Sequence, residues 1–163
     1  MKNGLHSLFL EELADMQNSE KQLTKALPKL AKAASSEELR EAFEGHLRET
    51  ENHVSRLEQV LLLLGDAASR RKCKGMKGVI DEGEEVVSNH KGTPELDAAL
   101  IAAAQKAEHY EIASYGCLCT WAKTMDHQEA LKLLQETLAE EKEADAKLTR
   151  IAESLANREA LAA

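Results

Sequence analysis

The chain has 163 residues, enough for one domain with a sizeable core and too few to suggest a second. Its composition, 43% hydrophobic and 31% charged with only 3% aromatic, suits helices rich in Ala, Leu, Glu and Lys and makes poor material for a sheet. A formal net charge of -8 argues against nucleic acid as a partner, because phosphates need a basic face. No apolar run approaches the roughly 20 residues needed to span a bilayer, so no membrane partner is expected. The acids in "MKNGLHSLFLEELAD" interrupt what a signal peptide would require, which points to a cytoplasmic location.

A first helix is expected over about residues 5–34, with Pro28 kinking or overwinding its last turns. The stretch "ASSEEL" starts a second helix, residues 36–64, with Ser35 or Ser36 as cap and Glu38 in the first turn, and Gly65 ends it. "GDAASRRKCKG" reads as irregular, and a shorter amphipathic helix follows over residues 75–90. In "KGTP", Thr93 is placed to cap and Pro94 to occupy the first position of a third long helix, residues 94–124. The fourth, residues 128–155, frays into "ANREALAA". Two pairs of long helices joined by a long connection describe an all-α, up-down four-helix bundle, residues 1–163, with the short helix inside the crossover. Cys73, Cys117 and Cys119 read as structural, with Cys73, between two lysines, the most reactive of them.

The halves resemble each other. Setting Gln17 on Gln105 places Glu20 on Glu108, and the second helix of each half carries an acid-rich turn before a basic-Leu pair, Arg56-Leu57 and Lys147-Leu148.

Polar residues interrupt the apolar stripes. Glu20 lies within the stripe of Phe9, Met16, Leu23 and Leu27 in the first helix. In the second, His46, Glu49 and His53 form a ridge along the flank of Phe43, Leu47, Thr50, Val54 and Leu57. Glu111 falls in line with Leu100, Ala104 and Leu118, with Glu108 at the edge of that face, while Glu141 and Asp145 fall on the seam of Leu134, Leu138 and Leu148. A single buried acid is neutralised by protonation, but several at one level repel one another in a low dielectric. Two divalent cations held by these carboxylates with one or two histidines would satisfy them together. His46 is read as a core histidine or as one that orients a carboxylate, and Tyr110 and Tyr115 as packing residues.

The segments "AEHYEIASYG", "HLRETENH", "NSEKQL" and "LAEEKEAD" resemble the YciF/YciE-type family of ferritin-like proteins, and more distantly the rubrerythrins and other di-iron carboxylate bundles. The resemblance implies that Glu20 and Glu108 are the first-helix metal ligands of each half and Glu111 an extra carboxylate. It makes Glu49 and Glu141 bridging carboxylates, with His53 and Asp145 as terminal ligands. The chain departs from the usual Glu-x-x-His spacing: Asn52 stands three residues after Glu49 and the histidine four, and the fourth helix offers Asp145 in place of histidine. The expected cofactor is two divalent metal ions, Fe first and Mn as the alternative. The expected function is a stress-related, di-metal protein with oxidase or peroxidase-type chemistry on O2 or peroxide. Its rival is a non-catalytic structural dimer whose metal centre is vestigial or merely stabilising. Bundles of this sort pair through helix faces, so a homodimer is expected.

Overall fold

Helix α1 runs over Gly4–Ala33, and a three-residue link leads to α2, Glu37–Leu63. The structure, a computed structural model, describes residues 4–66 and 71–163, so part of the stretch read as irregular, residues 67–70, lies outside the described residues. Then come α3 (Lys74–His90), α4 (Leu96–Thr124) and α5 (Gln128–Ile151), followed by a π-helical segment (Ala152–Ala156) and α6 (Asn157–Ala162). Every regular element among the described residues is helical.

Each link has a physical cause. Ser36 caps α2 by accepting from the Leu39 amide at 3.3 Å. Buried Asp97, in the first turn of α4, accepts from the amides of Ser35 and Ser36 at 2.7 and 2.8 Å, fastening the start of α4 to the α1–α2 turn. Helix α4 begins two residues later than the sequence suggests. Thr93 and Pro94 lie in the preceding turn, where the Thr93 hydroxyl donates to the His90 carbonyl at 2.9 Å instead of capping α4. Pro28 is exposed and α1 continues through it to Ala33. At the other terminus the chain does not fray at residue 155: the π-helical segment buries Ala156 against the core and leads into α6.

Helices α1 and α5 each pack on both α2 and α4, so the four long helices form a ring in the order α1, α2, α5, α4. Neighbours are antiparallel. Phe9 of α1 lies beside His127 at the end of α4, while the α1–α2 turn meets Asp97 at the beginning of α4. Along α2 and α5, Leu57 shares a cluster with Leu134, and Phe43 shares one with Leu148. Because α2 and α4 therefore point the same way, the crossover must return along the bundle, and α3 does this against α1 and α4. The Cys73 amide donates to Asn18 of α1 at 2.8 Å, and eleven residues on, Glu84 meets Lys29 at 2.7 Å.

The core is divided in two. One apolar cluster gathers Leu23, Leu27, Leu39, Phe43, Leu100 and Leu148; the other gathers Phe9, Leu13, Met16, Leu57, Leu118 and Leu134. Between them lies a buried polar layer to which all four long helices contribute.

Candidate metal centre

The layer contains Glu20 from α1, His46, Thr50 and His53 from α2, Glu108 and Glu111 from α4, and Glu141 from α5, all buried. On α2 the buried arc is turned relative to the sequence reading: His46 and His53 face the axis, while Leu47 and Val54 are only half-buried. At about 100° per residue, two positions seven apart differ by about 20°. His46 and His53 therefore stand two turns apart on one line, with Thr50 between them donating its hydroxyl to the His46 carbonyl at 2.9 Å.

Two groups of ligand atoms form, each with all members within 4.8 Å of one another: His46, Glu108, Glu111 and Glu141, and separately Glu20, His53 and Glu141. Glu141 belongs to both. His46 Nε2 lies 3.2 Å from Glu108 and 3.5 Å from Glu141; His53 Nδ1 lies 2.9 Å from Glu141 and 3.4 Å from Glu20.

The outward nitrogen of each ring is tied to a carboxylate outside the layer. His46 Nδ1 meets Glu49 at 3.0 Å, and His53 Nε2 meets Glu140 at 2.8 Å. A carboxylate on one ring nitrogen holds the proton there and leaves the other nitrogen free to accept or to ligate. In both histidines that other nitrogen faces the centre.

Eight of the centre's oxygens and nitrogens illustrate the mismatch. Both oxygens of Glu111 and of Glu141, one each of Glu20 and Glu108, His46 Nε2 and His53 Nδ1 are buried without a geometrically sound hydrogen bond. Buried polar groups are ordinarily paired, and leaving several unpaired at one place is expensive. Glu20 is better served, its Oε1 accepting from the hydroxyl of fully buried Tyr115 at 2.5 Å.

The electrostatics follow from burial and crowding. Burial lifts the Glu108 and Glu111 carboxyls well above the ordinary range, and the Glu141 charge adds to it. Glu20 is raised by burial too, opposed by the His53 ring 3.4 Å away. Burial also works to raise Glu141, but His53 and His46 outweigh it and hold that carboxyl below its usual value. Burial works against a charged His53, yet Glu141 and Glu20 prevail and push it up to about 10.

The structure thus brings together Glu20, His53, Glu108, Glu111 and Glu141. It does not bring in Glu49 or Asp145. Glu49 stands about 60° around α2 from His46; its side chain is 46% exposed and serves His46 from outside instead of bridging. Asp145, one turn beyond Glu141, turns to α4, accepting from Gln105 Nε2 at 3.1 Å and pairing with exposed His109 at 3.2 Å. His46, read as a core or orienting histidine, joins Glu108, Glu111 and Glu141 in one of the two groups, where Glu49 does not reach. The signal was present in the seven-residue spacing of the histidines, and in the register that sets Glu20 on Glu108, which also sets His53 on Glu141.

Cys73 differs from its reading as the reactive cysteine. It is buried, its sulfur accepts from the Met76 amide at 3.4 Å and lies 3.1 Å from the Tyr110 hydroxyl, and burial pushes the thiol up.

The donor set fits a divalent cation: carboxylate oxygens and imidazole nitrogens, convergent and unpartnered, are what Fe and Mn sites in helical bundles present.

Comparison with known proteins finds relatives of the whole chain. Protein YciF of Escherichia coli is 47% identical over 157 residues, 96% of this chain and 95% of that protein. Its crystal structure, described as that of a stress protein, matches with a TM-score of 0.91 over 96% of this chain and 99% of that one. YcfI of Rhodopseudomonas palustris, described as a candidate structural protein, is 38% identical with a TM-score of 0.87, covering 91% of this chain and 94% of its own. A Xanthomonas campestris protein, 22% identical over 96% of each chain, shares the fold with a TM-score of 0.74. No described helix is long and apolar enough to cross a membrane. The profile of DUF892, a domain of unknown function, matches residues 4–161, and the chain belongs to this family, that of the YciF-type proteins.

Proposed function

We propose that this protein binds two divalent metal ions, Fe or Mn, in the polar layer and serves a stress-related role through them. The observation that carries the reading is the set of unpartnered carboxylate oxygens on Glu108, Glu111 and Glu141. They lie beside two histidines whose outer nitrogens are already engaged. The two atom groups sharing Glu141 support two positions, with Glu141 between them.

On this reading His46, Glu108 and Glu111 would hold one ion, Glu20 and His53 the other, and Glu141 both. Such an ion pair, when bound, supplies one-electron chemistry toward O2 or peroxide. The chain's own residues set the conditions. Glu49 and Glu140 orient the rings, the two flanking apolar clusters exclude water, and the Tyr115 hydroxyl fixes one oxygen of Glu20.

The test has two arms. Elemental analysis of protein purified without chelator should give Fe or Mn near two per chain, and a metal-free result that persists after Fe(II) or Mn(II) is supplied rejects the reading. Fe(II) added at stoichiometric amounts under air should then oxidise faster than in buffer; an unchanged rate leaves binding and removes the oxidase chemistry.

One observation favours a second reading, a metal-free structural bundle. The charged form of His53, flanked by Glu20, Glu140 and Glu141, would itself neutralise part of the layer. A thermal midpoint indifferent to Fe(II) and Mn(II) would support that form. Under either reading a homodimer is proposed, and exposed Leu62 and Leu63 near the end of α2 offer apolar surface for it. Sedimentation as a monomer would reject the dimer.

A further inference from the structure

We infer that the cleft between α2 and α5 is the route by which the divalent cation enters the centre, with Glu49 at its mouth as the first carboxylate to receive it. The inference rests on the metal-binding reading above. It starts from the pattern of exposure in the layer. Glu20, His53, Glu111 and Glu141 are completely buried, whereas His46 keeps 6% and Glu108 3% of their surface. Those same two residues line a cleft of about 70 Å3 between α2 and α5, space for several water-sized occupants. The unpartnered atoms of this pair, His46 Nε2 and Glu108 Oε2, belong to the side chains at its floor.

The walls suit a cation. Half-exposed Glu49 lines the cleft and is joined to His46 at 3.0 Å, so its carboxylate spans from the solvent side to the first ring of the centre. Glu143 adds a second carboxylate, shared with Arg150, and Lys147 is the one lysine or arginine lining the cleft among the described residues. Gly45 and Ala144 keep the two helices low at this point. A Cβ added at Gly45 would meet only the mobile end of Arg48, at 3.8 Å, so packing does not demand glycine there, although glycine weakens a helix interior.

A larger hollow, about 360 Å3 between α1, α3 and α4, is a poor alternative. No side chain of the centre lines it, and its charged residues, Lys29 and Glu84, are paired with each other at 2.7 Å. A cation there would meet mainly Leu, Val, Ile and Ala, and the carboxylate of Glu84 is already held by Lys29.

The test follows Co(II) uptake by stopped-flow absorption in the metal-free protein, recording both the rate and the final stoichiometry. Gly45→Leu and Ala144→Leu narrow the cleft without touching a proposed ligand. Each is expected to slow uptake by about tenfold or more, equivalent to about 1.4 kcal/mol of added barrier, with the final stoichiometry unchanged. Lys147→Glu, an exposed change compatible with folding, is expected to speed uptake several-fold at low salt, and less at high salt. Co(II) entry at the wild-type rate in the narrowed and the Lys147→Glu proteins overturns the route while leaving metal binding intact. A wild-type protein that takes up no Co(II), Fe(II) or Mn(II) overturns the reading beneath it.

Discussion

His53 Nε2 lies 2.8 Å from Glu140 Oε2, and Arg56 grips the same carboxylate through two hydrogen bonds, at 2.5 and 2.8 Å. The Arg56 contact holds the Glu140 carboxyl below its ordinary range, so it stays an anion and an acceptor for the ring. This relay begins at the surface and ends at a buried nitrogen between Glu20 and Glu141. It decides which face of His53 the centre receives.

Removing the relay should therefore weaken metal binding without removing a ligand. Glu140→Leu is expected to lower Mn(II) or Co(II) affinity by about 10–100-fold, the usual effect of deleting a partner that orients a metal-bound histidine. Glu140→Gln keeps an oxygen that accepts from Nε2 and should lose less. Glu49→Ala should act on His46 in the same direction. Equilibrium titration measures all three, and unchanged affinity in Glu140→Leu would show that His53 needs no such support.

A second expectation concerns the crossover. A Cβ on Gly75 would fall 2.6 Å from a ring carbon of Tyr110, closer than real contacts allow. Tyr110 cannot simply step aside, because its hydroxyl meets Asp15 at 3.3 Å and Cys73 at 3.1 Å. Gly75→Ala should destabilise the fold by about 1–3 kcal/mol through overpacking, about 2–4 °C in thermal midpoint per kcal/mol at this size. In a Tyr110→Ser background the same change should cost much less, which a double-mutant cycle would measure.

The sequence disclosed the helices and most of the inward acids because both depend on local periodicity. Glu20, Glu108, Glu111 and Glu141 stand on faces whose apolar neighbours fix their direction. The second helix misled because it is polar on nearly every side around His46, Glu49 and Thr50, so Leu47 and Val54 shifted the deduced arc away from the histidines. The side chain lengths then decided the roles: Glu49 at the arc's edge reaches back to a ring nitrogen, and Asp145 finds Gln105 and His109 of α4. Neither partner is encoded in the spacing of its own helix. The same holds for Asp97, whose carboxylate caps a turn sixty residues earlier in the chain, and for Cys73, whose burial depends on α1 and α4 closing over it.

Glu111 offers the sharpest test of whether the layer is built for stability or for binding. It is completely buried and neither of its oxygens has a hydrogen-bond partner. Glu111→Leu removes that burden at similar volume. The metal-free variant should gain about 1–3 kcal/mol, the cost of leaving such a group unpaired, and its midpoint should rise by about 2–4 °C per kcal/mol. The rise that metal gives the parent protein should shrink or vanish. A metal-free variant that melts lower than the parent would mean the carboxyl already has a partner that stabilises the fold.

The last expectation is the pH dependence of the metal-free protein. Glu108 and Glu111 have folded values raised well above the ordinary 4.5, chiefly by burial, so the folded state holds their protons more tightly than the unfolded chain does. The stability they contribute is complete below 4.5 and is lost as pH rises through their folded values. His53 acts in the same sense: with its folded value pushed to about 10 from 6.5, its contribution is complete below 6.5 and is lost toward 10. Glu141, held below 4.5, acts oppositely and loses its contribution only as the solution becomes acid. Thermal midpoints should therefore decline from mildly acid to alkaline pH. Metal must displace these protons, so the stabilisation from Mn(II) should grow over the same range and flatten the decline. A metal-free midpoint that rises steadily from pH 5 to 9 would show that the layer's carboxyls are already charged, and that the burial attributed to them is not what governs their protons.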